Sequence, residues 1–289
     1  KDRPGVCGSA DDIDEAARVA AQLGIEHLVL DFCDIFRREV MDRFVSEYCA
    51  GRTPNPCLDC NRELKFGALL DWACAHGFDC IATGHYARTG FDAASGRQLL
   101  LRGADTRKDQ SYVLYQMTQR QLSHLLLPVG EYSKAEVRAL AEKHGLHNAK
   151  KPDSQDICFV PDGDYVRFLR EYGGVESEAG DFVDSSGNVL GRHRGLVAYT
   201  TGQRKGLGVS ADRPLYVLSK DAESNTVLLG DDAQLFSRSL TASRVNWIVS
   251  PPASALRVTA KTRYSQREGA ATVTPLEDGS VRVDFDRAL

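Results

Sequence analysis

The chain has 289 residues, 26% charged and 42% hydrophobic, with a formal net charge of -4. That composition is globular rather than disordered, and the acidic total excludes a uniformly basic nucleic-acid binder, because phosphate is held by Lys and Arg through counterion release. No apolar run approaches bilayer length and Lys1 opens no signal-peptide pattern, so a soluble, cytoplasmic protein of two or three domains is expected.

In chain order, Ser9 precedes apolar residues at helical spacing (Ile13, Ala16, Ala17, Ala20, Leu23) that stop at Gly24, which predicts a capped amphipathic helix. Residues 25–32 form a short apolar run suited to a buried strand. Phe36, Val40, Phe44, Val45 and Tyr48 predict a second helix closed at Gly51; Leu64, Leu69, Leu70 and Ala73 predict a third, and residues 80–83 another strand. Strands and helices alternating at this size imply a mostly parallel α/β sheet. SKAEVRALAEKHG carries a capping box, Ser133 with Glu136, and a stop at Gly145. A further helix is expected over residues 164–172. Beyond about Gly173 the texture turns β-rich: glycine turns separate alternating segments, and Val281 to Phe285 alternates with period two.

The eight cysteines sit in a chain too long and too regular for a disulfide scaffold, so reduced thiols are expected. Cys57 and Cys60 form a CxxC ahead of a helix, in RTPNPCLDC. Half a zinc site, a redox pair with a thiol pKa lowered by the helix dipole, or an accident would each explain it, and no second Cys or His pair follows to complete a zinc site. Cys158 lies in a polar loop. Cys7, Cys33, Cys49, Cys74 and Cys80 neighbour apolar residues and are expected to fill the core.

Other polar clusters each have a plain reading as turn or solvated surface. GHYAR, from Gly84, follows a strand at the carboxyl edge where open α/β sheets bind ligands. RKDQSY, from Arg107, fits a helix start. TTGQRKGLG, from Thr200, has the glycines of a phosphate loop without the Walker ending. KTRYSQR, from Lys261, places cations and an aromatic on an expected strand, a pattern that suits RNA backbone and base stacking.

Taken in order, PNPCxxCN with KF, ATGHYAR, LLRGADxxKDQSY, KxDSxxICF, GQRKGLG and KTRY resemble the tRNA-specific 2-thiouridylases over nearly the whole chain from about Ser9. The resemblance implies an α/β fold: an adenine nucleotide α-hydrolase-like catalytic domain over residues 1–165, a small central α+β domain over 166–236 and a C-terminal β-barrel over 237–289. It implies replacement of the C2 oxygen of the wobble uridine by sulfur, with ATP and Mg2+ activating that oxygen by adenylation, because a carbonyl oxygen is a poor leaving group. By position, Cys60 matches the family's nucleophile and Cys158 the carrier of a persulfide, and the two could close a disulfide after sulfur delivery. Asn55, Pro56 and Cys57 match the stretch that touches the target base, and Gly84 an ATP contact. His85, Lys108, Asp109, Gln110, Arg263 and Tyr264 match tRNA contacts. Implied partners are tRNA, through its anticodon stem-loop, and a persulfide donor such as a cysteine desulfurase or sulfur-relay protein; no membrane is implied.

Two departures from the family pattern stand out. Many members carry Asp where this chain has Cys57, and Asp59 is rotated away from that position on a helix. Cys57, Cys60 and Cys158 could instead hold a [4Fe-4S] cluster with one iron open to sulfide. The SGGVDS phosphate loop of the family does not occur in this sequence. Lys1 is expected to fall after it and Leu289 before the last barrel strands. A non-catalytic RNA-binding or redox module is the reading that would follow if the loop were truly absent.

Overall fold

The computed structural model describes residues 9–151, 157–264 and 266–288. These form two compact units, drawn from Lys1–Arg43 with Asn55–Phe168 and from Phe44–Pro54 with Leu169–Leu289. Among the described residues no helix is long and apolar enough to cross a membrane.

In the first unit, helix Ala10–Leu23 begins where the Ser9 side chain accepts the Asp12 N–H, and ends at Gly24 with φ 67°. An L side chain would be strained there, which is why the helix stops at a glycine. Lys151 Nζ lies 3.0 Å from Asp12 Oδ1 and also pairs with Glu15, tying a later loop to this helix.

Residues 25–32 depart from expectation. They form no strand, and Ile25, Leu28 and Val29 are exposed. A strand exists only when neighbours take its backbone N–H and C=O groups, and this run has no ladder partner among the described residues.

Two long helices follow, each with a wide π turn in its middle. Residues 33–49 are α-helical at Cys33–Phe36 and Arg43–Cys49 and π-helical at Arg37–Asp42. The expected face is realised, with Val40, Phe44 and Tyr48 buried at four-residue spacing. Residues 56–75 run as α-helix Pro56–Asp59, π-helix Cys60–Ala68 and α-helix Leu69–Ala75, burying Phe66, Leu70 and Ala73. Within the π turn, carbonyls of Arg62 and Phe66 accept the Gln121 side-chain amide at 3.3 and 2.7 Å, so backbone acceptors left over by the irregular turn find donors.

The strand expected at residues 80–83 is β1 (Ile81–Ala82). Strands β2 (Ala87–Asp92) and β3 (Arg97–Arg102) form an antiparallel hairpin, and β4 (Leu125–Leu126) pairs parallel with β1. Within this unit the mostly parallel sheet is thus reduced to one parallel pair among the described residues. Helix Lys134–Lys143 carries the predicted capping box, with the Glu136 N–H donating to Ser133 Oγ and the Ser133 N–H to Glu136 Oε2, and Gly145 follows at φ 67°. Helix Tyr165–Glu171 realises the one expected over residues 164–172.

The second unit holds two four-stranded sheets. In the first, β5 (Gly180–Val183), β6 (Val189–His193), β7 (Tyr216–Asp221) and β8 (Thr226–Gly230) lie in the order β6-β5-β8-β7. Buried His193 fastens it: its Nδ1 accepts the Gly180 and Gly195 N–H groups at 3.3 and 3.0 Å, so its Nε2–H donates to the Asn225 carbonyl at 3.0 Å. The second sheet is antiparallel in the order β10-β11-β12-β9, from β9 (Ser239–Ala242), β10 (Leu256–Ala260), β11 (Gly269–Pro275) and β12 (Val281–Phe285). Alternation in β12 sends Val281, Val283 and Phe285 inward, where they pack with Ala271 and Trp247.

Candidate active site

Asn55 starts the cysteine helix. Its Oδ1 accepts the Cys57 N–H at 3.1 Å, and buried Pro56 occupies the first helical position, where a missing N–H costs nothing. The cap therefore sets Cys57, exposed, in the first turn and Cys60, half-buried, at the start of the π turn. Asp59, 7% exposed, lies between them with its carboxylate turned into the protein, 3.2 Å from Arg43 Nε and 3.3 Å from Arg62 NH2. This ion-paired carboxylate is occupied in joining the two long helices and does not stand in for an acid at position 57.

Cys158 is half-buried in a turn closed by the Val160 N–H on the Ile157 carbonyl, 2.8 Å. Its neighbour Phe159 sets an edge against Phe36 at 5.8 Å between ring centroids and meets Phe168 at 5.0 Å. Phe36 belongs to the helix that packs on the cysteine helix. Cys60 and Cys158 are thus carried by one compact unit, and neither is in a disulfide in this structure. Asp153 and Ser154 of the KxDSxxICF motif lie outside the described residues, as does Cys7.

Among the described residues no three His, Cys, Asp or Glu side chains come together as a metal site. The expectation that the remaining cysteines fill the core fails for Cys33, Cys49 and Cys80, which are exposed, while Cys74 is half-buried. Apolar neighbours in sequence do not bury a residue at the end of an element. Cys33 starts a helix beside Asp31, whose carboxylate accepts its N–H at 2.9 Å and pushes its thiol pKa up.

Gly84 follows β1 on its carboxyl side, exposed, with nothing within 4 Å of where a Cβ would stand, which leaves room for a ligand to approach the backbone. His85 is buried. Its Nδ1 lies 2.8 Å from Thr83 Oγ1, and its ring centroid 5.9 Å from that of Phe66. Burial first, and the charge of Lys65 second, push its pKa down to about 4, so at neutral pH it is an uncharged imidazole and not a phosphate-binding cation. Lys65 itself, half-buried on the π turn that Cys60 begins, makes no ion pair with a described residue. Sequence reasoning passed over it although it stands in the quoted KF.

The Lys108-Asp109-Gln110 segment is built into its own loop. Asp109 Oδ1 accepts the Gly103 and Ser111 N–H groups at 3.0 and 3.1 Å, and Oδ2 the Ser111 hydroxyl at 2.8 Å. Gln110 Oε1 accepts the Tyr86 N–H at 3.0 Å while its own N–H returns to the Tyr86 carbonyl at 2.8 Å, so this loop is fastened to GHYAR. Lys108 remains exposed.

In the second unit, Arg263 and Tyr264 sit in the loop between β10 and β11 and not on a strand as expected; side-chain and main-chain bonds to Gln266 turn the chain there. Arg263 NH2 donates to the Thr201 carbonyl at 3.1 Å, and Tyr264 is half exposed with Lys261 Nζ 5.6 Å above its ring.

A family described as "tRNA methyl transferase HUP domain" matches residues 1–162, its PRC-barrel domain residues 166–231, and an "aminomethyltransferase beta-barrel domain" residues 237–289. Over 98% of its length the chain is 50% identical to the tRNA-specific 2-thiouridylase MnmA of Acetivibrio thermocellus, covering 79% of that protein. It is 50% identical over 97% of its length to the enzyme of the same name from Moorella thermoacetica, covering 79% of it, and 49% identical over 99% to that of Heliobacterium modesticaldum, covering 76%.

Proposed function

This chain belongs to the tRNA-specific 2-thiouridylase family, and from that membership we propose that it replaces the C2 oxygen of the wobble uridine in tRNA by sulfur. ATP adenylates the oxygen, Gly84 giving the nucleotide close access to the backbone; Mg2+, brought in with the nucleotide, would supply charge neutralisation. Cys158 carries the incoming sulfur as a persulfide received from a cysteine desulfurase or relay protein. The terminal sulfur attacks C2 and AMP leaves with the oxygen. Cys60 thiolate then attacks the Cys158 sulfur, breaking the S–S bond to the new thiocarbonyl sulfur and leaving a Cys60–Cys158 disulfide to be reduced.

The observation that supports this reading is a pair of half-buried thiols, neither in a disulfide, in one unit that also holds the open Gly84 at a strand end. The matched family's label speaks of methyl transfer and the relatives' names of thiolation. The cysteines favour thiolation, because moving sulfur needs one thiol to carry it and another to release it, a division of labour that methyl transfer does not require. The iron–sulfur alternative would use Cys57, Cys60 and Cys158 as ligands, and anaerobic reconstitution with iron counting distinguishes it: a protein active while iron-free excludes it.

The test is thiolation of an unmodified tRNA transcript supplied with ATP and a persulfide donor, followed by nucleoside mass spectrometry. Cys158→Ser is expected to lose 2-thiouridine while retaining tRNA binding; a variant thiolating at the wild-type rate would remove Cys158 from the reaction.

A further inference from the structure

The TTGQRKGLG segment has no role in the chemistry above, yet it is a built structure. Gly202 donates its N–H to the Val217 carbonyl at 2.8 Å, and the Val217 N–H returns to the Gln203 carbonyl at 3.0 Å, which anchors the loop to β7. The Gln203 side chain closes it internally, accepting the Thr200 N–H at 3.0 Å and donating to the Lys205 carbonyl at 3.0 Å. Leu207 is buried beneath it, so Arg204 and Lys205 are held outward and exposed on a fastened turn.

Arg263 lies against this loop. A Cβ on Gly202 would stand 3.0 Å from Arg263 NH1 and 3.4 Å from NH2, and Gly202 has φ 86°, so both its conformation and the guanidinium call for a bare backbone there. The bond from Arg263 to the Thr201 carbonyl fixes the guanidinium in the same place. Three cations, Arg204, Lys205 and Arg263, are thereby presented by two loops that meet at Gly202. None of them forms an ion pair with a described residue. In a chain of net charge -4 this is concentrated, unspent positive charge. It sits beside a half-exposed Tyr264, whose ring offers a stacking face.

We propose that Thr200–Gly208 and the Arg263–Tyr264 loop form one RNA-backbone clamp, in which Arg204 and Lys205 bind tRNA phosphates. The inference rests on tRNA being the substrate, and it adds two phosphate-binding residues and a reason for Gly202. These contacts position the RNA and carry no sequence information. Each phosphate neutralised steepens the salt dependence of log K by about 0.7–0.9, equivalent to roughly five-fold in affinity at 0.15 M salt.

The experiment measures binding of an unmodified tRNA transcript to the 289-residue chain as a function of salt. The Arg204→Ala/Lys205→Ala variant is expected to bind about 25-fold more weakly at 0.15 M and to lose between one and two units of slope, with Arg204→Lys/Lys205→Arg restoring both. Gly202→Ala is expected to weaken binding in the wild type but to add little to Arg263→Ala, since both displace the same guanidinium. Unfolding midpoints of each variant separate loss of fold from loss of contact. If wild type binds tRNA while the double alanine variant binds with the same affinity and slope, the clamp is overturned and the tRNA reading stands; if wild type itself does not bind tRNA, both fall.

Discussion

Asp59 is the residue whose role changes most between sequence and structure. In the sequence it is a carboxylate between two thiols, rotated on the helix away from the position where many family members carry Asp. Folded, it is the shared partner of Arg43 and Arg62 and nearly excluded from solvent. Removing the charge while keeping the shape takes the shared carboxylate away from half-buried Arg43 and Arg62, of which Arg62 still has Glu63 at 2.6 Å. Asp59→Asn is therefore expected to destabilise the fold by about 2–3 kcal/mol, toward the low end for broken buried pairs because both arginines still reach water. Urea unfolding measures this directly, and a midpoint unchanged from wild type would show that the ion pairs contribute nothing. Cys57 makes the complementary point: capped by Asn55 and exposed, it is presented outward at the same helix start.

At the scale of elements, the π turn over Cys60–Ala68 is the feature periodicity could not reveal. Apolar spacing predicts that a helix exists, but a single widened turn shifts the phase by one residue and leaves the pattern still helical. Tertiary hydrogen bonds hold the turn open: Gln121 to the Arg62 and Phe66 carbonyls, and Asn61 Nδ2 to the Val113 carbonyl at 2.9 Å. Gly67 fits this geometry because a Cβ there would stand 2.9 Å from the Arg62 carbonyl oxygen. Gly67→Ala, normally stabilising in a helix, is expected here to cost about 1–3 kcal/mol, as overpacking does. Thermal unfolding decides the sign, and a raised midpoint would mean the turn relaxes to ordinary α-helix without penalty.

For the molecule as a whole, acid sensitivity follows from one buried imidazole. Unfolded, His85 takes a proton near its ordinary value of about 6.5, whereas in the fold it stays neutral until about pH 4. Between those values the unfolded chain binds the extra proton, so His85's contribution is fully present above about pH 6.5 and is lost as pH falls toward 4, by on the order of 3 kcal/mol. The difference in urea midpoint between wild type and His85→Gln should therefore shrink as the pH falls from 7 to 4.5, and a difference constant with pH would show that His85 is not held neutral. Carboxylates such as Asp105, whose pKa is lowered first by the Lys134 N–H, act at lower pH and cancel in that comparison. Such long-range couplings separate what the sequence alone could establish from what it could not. The capped helices, the glycine stops, the period-two β12 strand and the ordered motifs of the family were all legible, because each depends on neighbours within a few positions or on residue identity itself. The exposed run over residues 25–32, the surface cysteines, the occupied carboxylates of Asp59 and Asp109, and the meeting of Gly202 with Arg263 were not. Burial and pairing are properties of partners brought together from distant parts of the chain, and only the folded structure decides which groups those partners are.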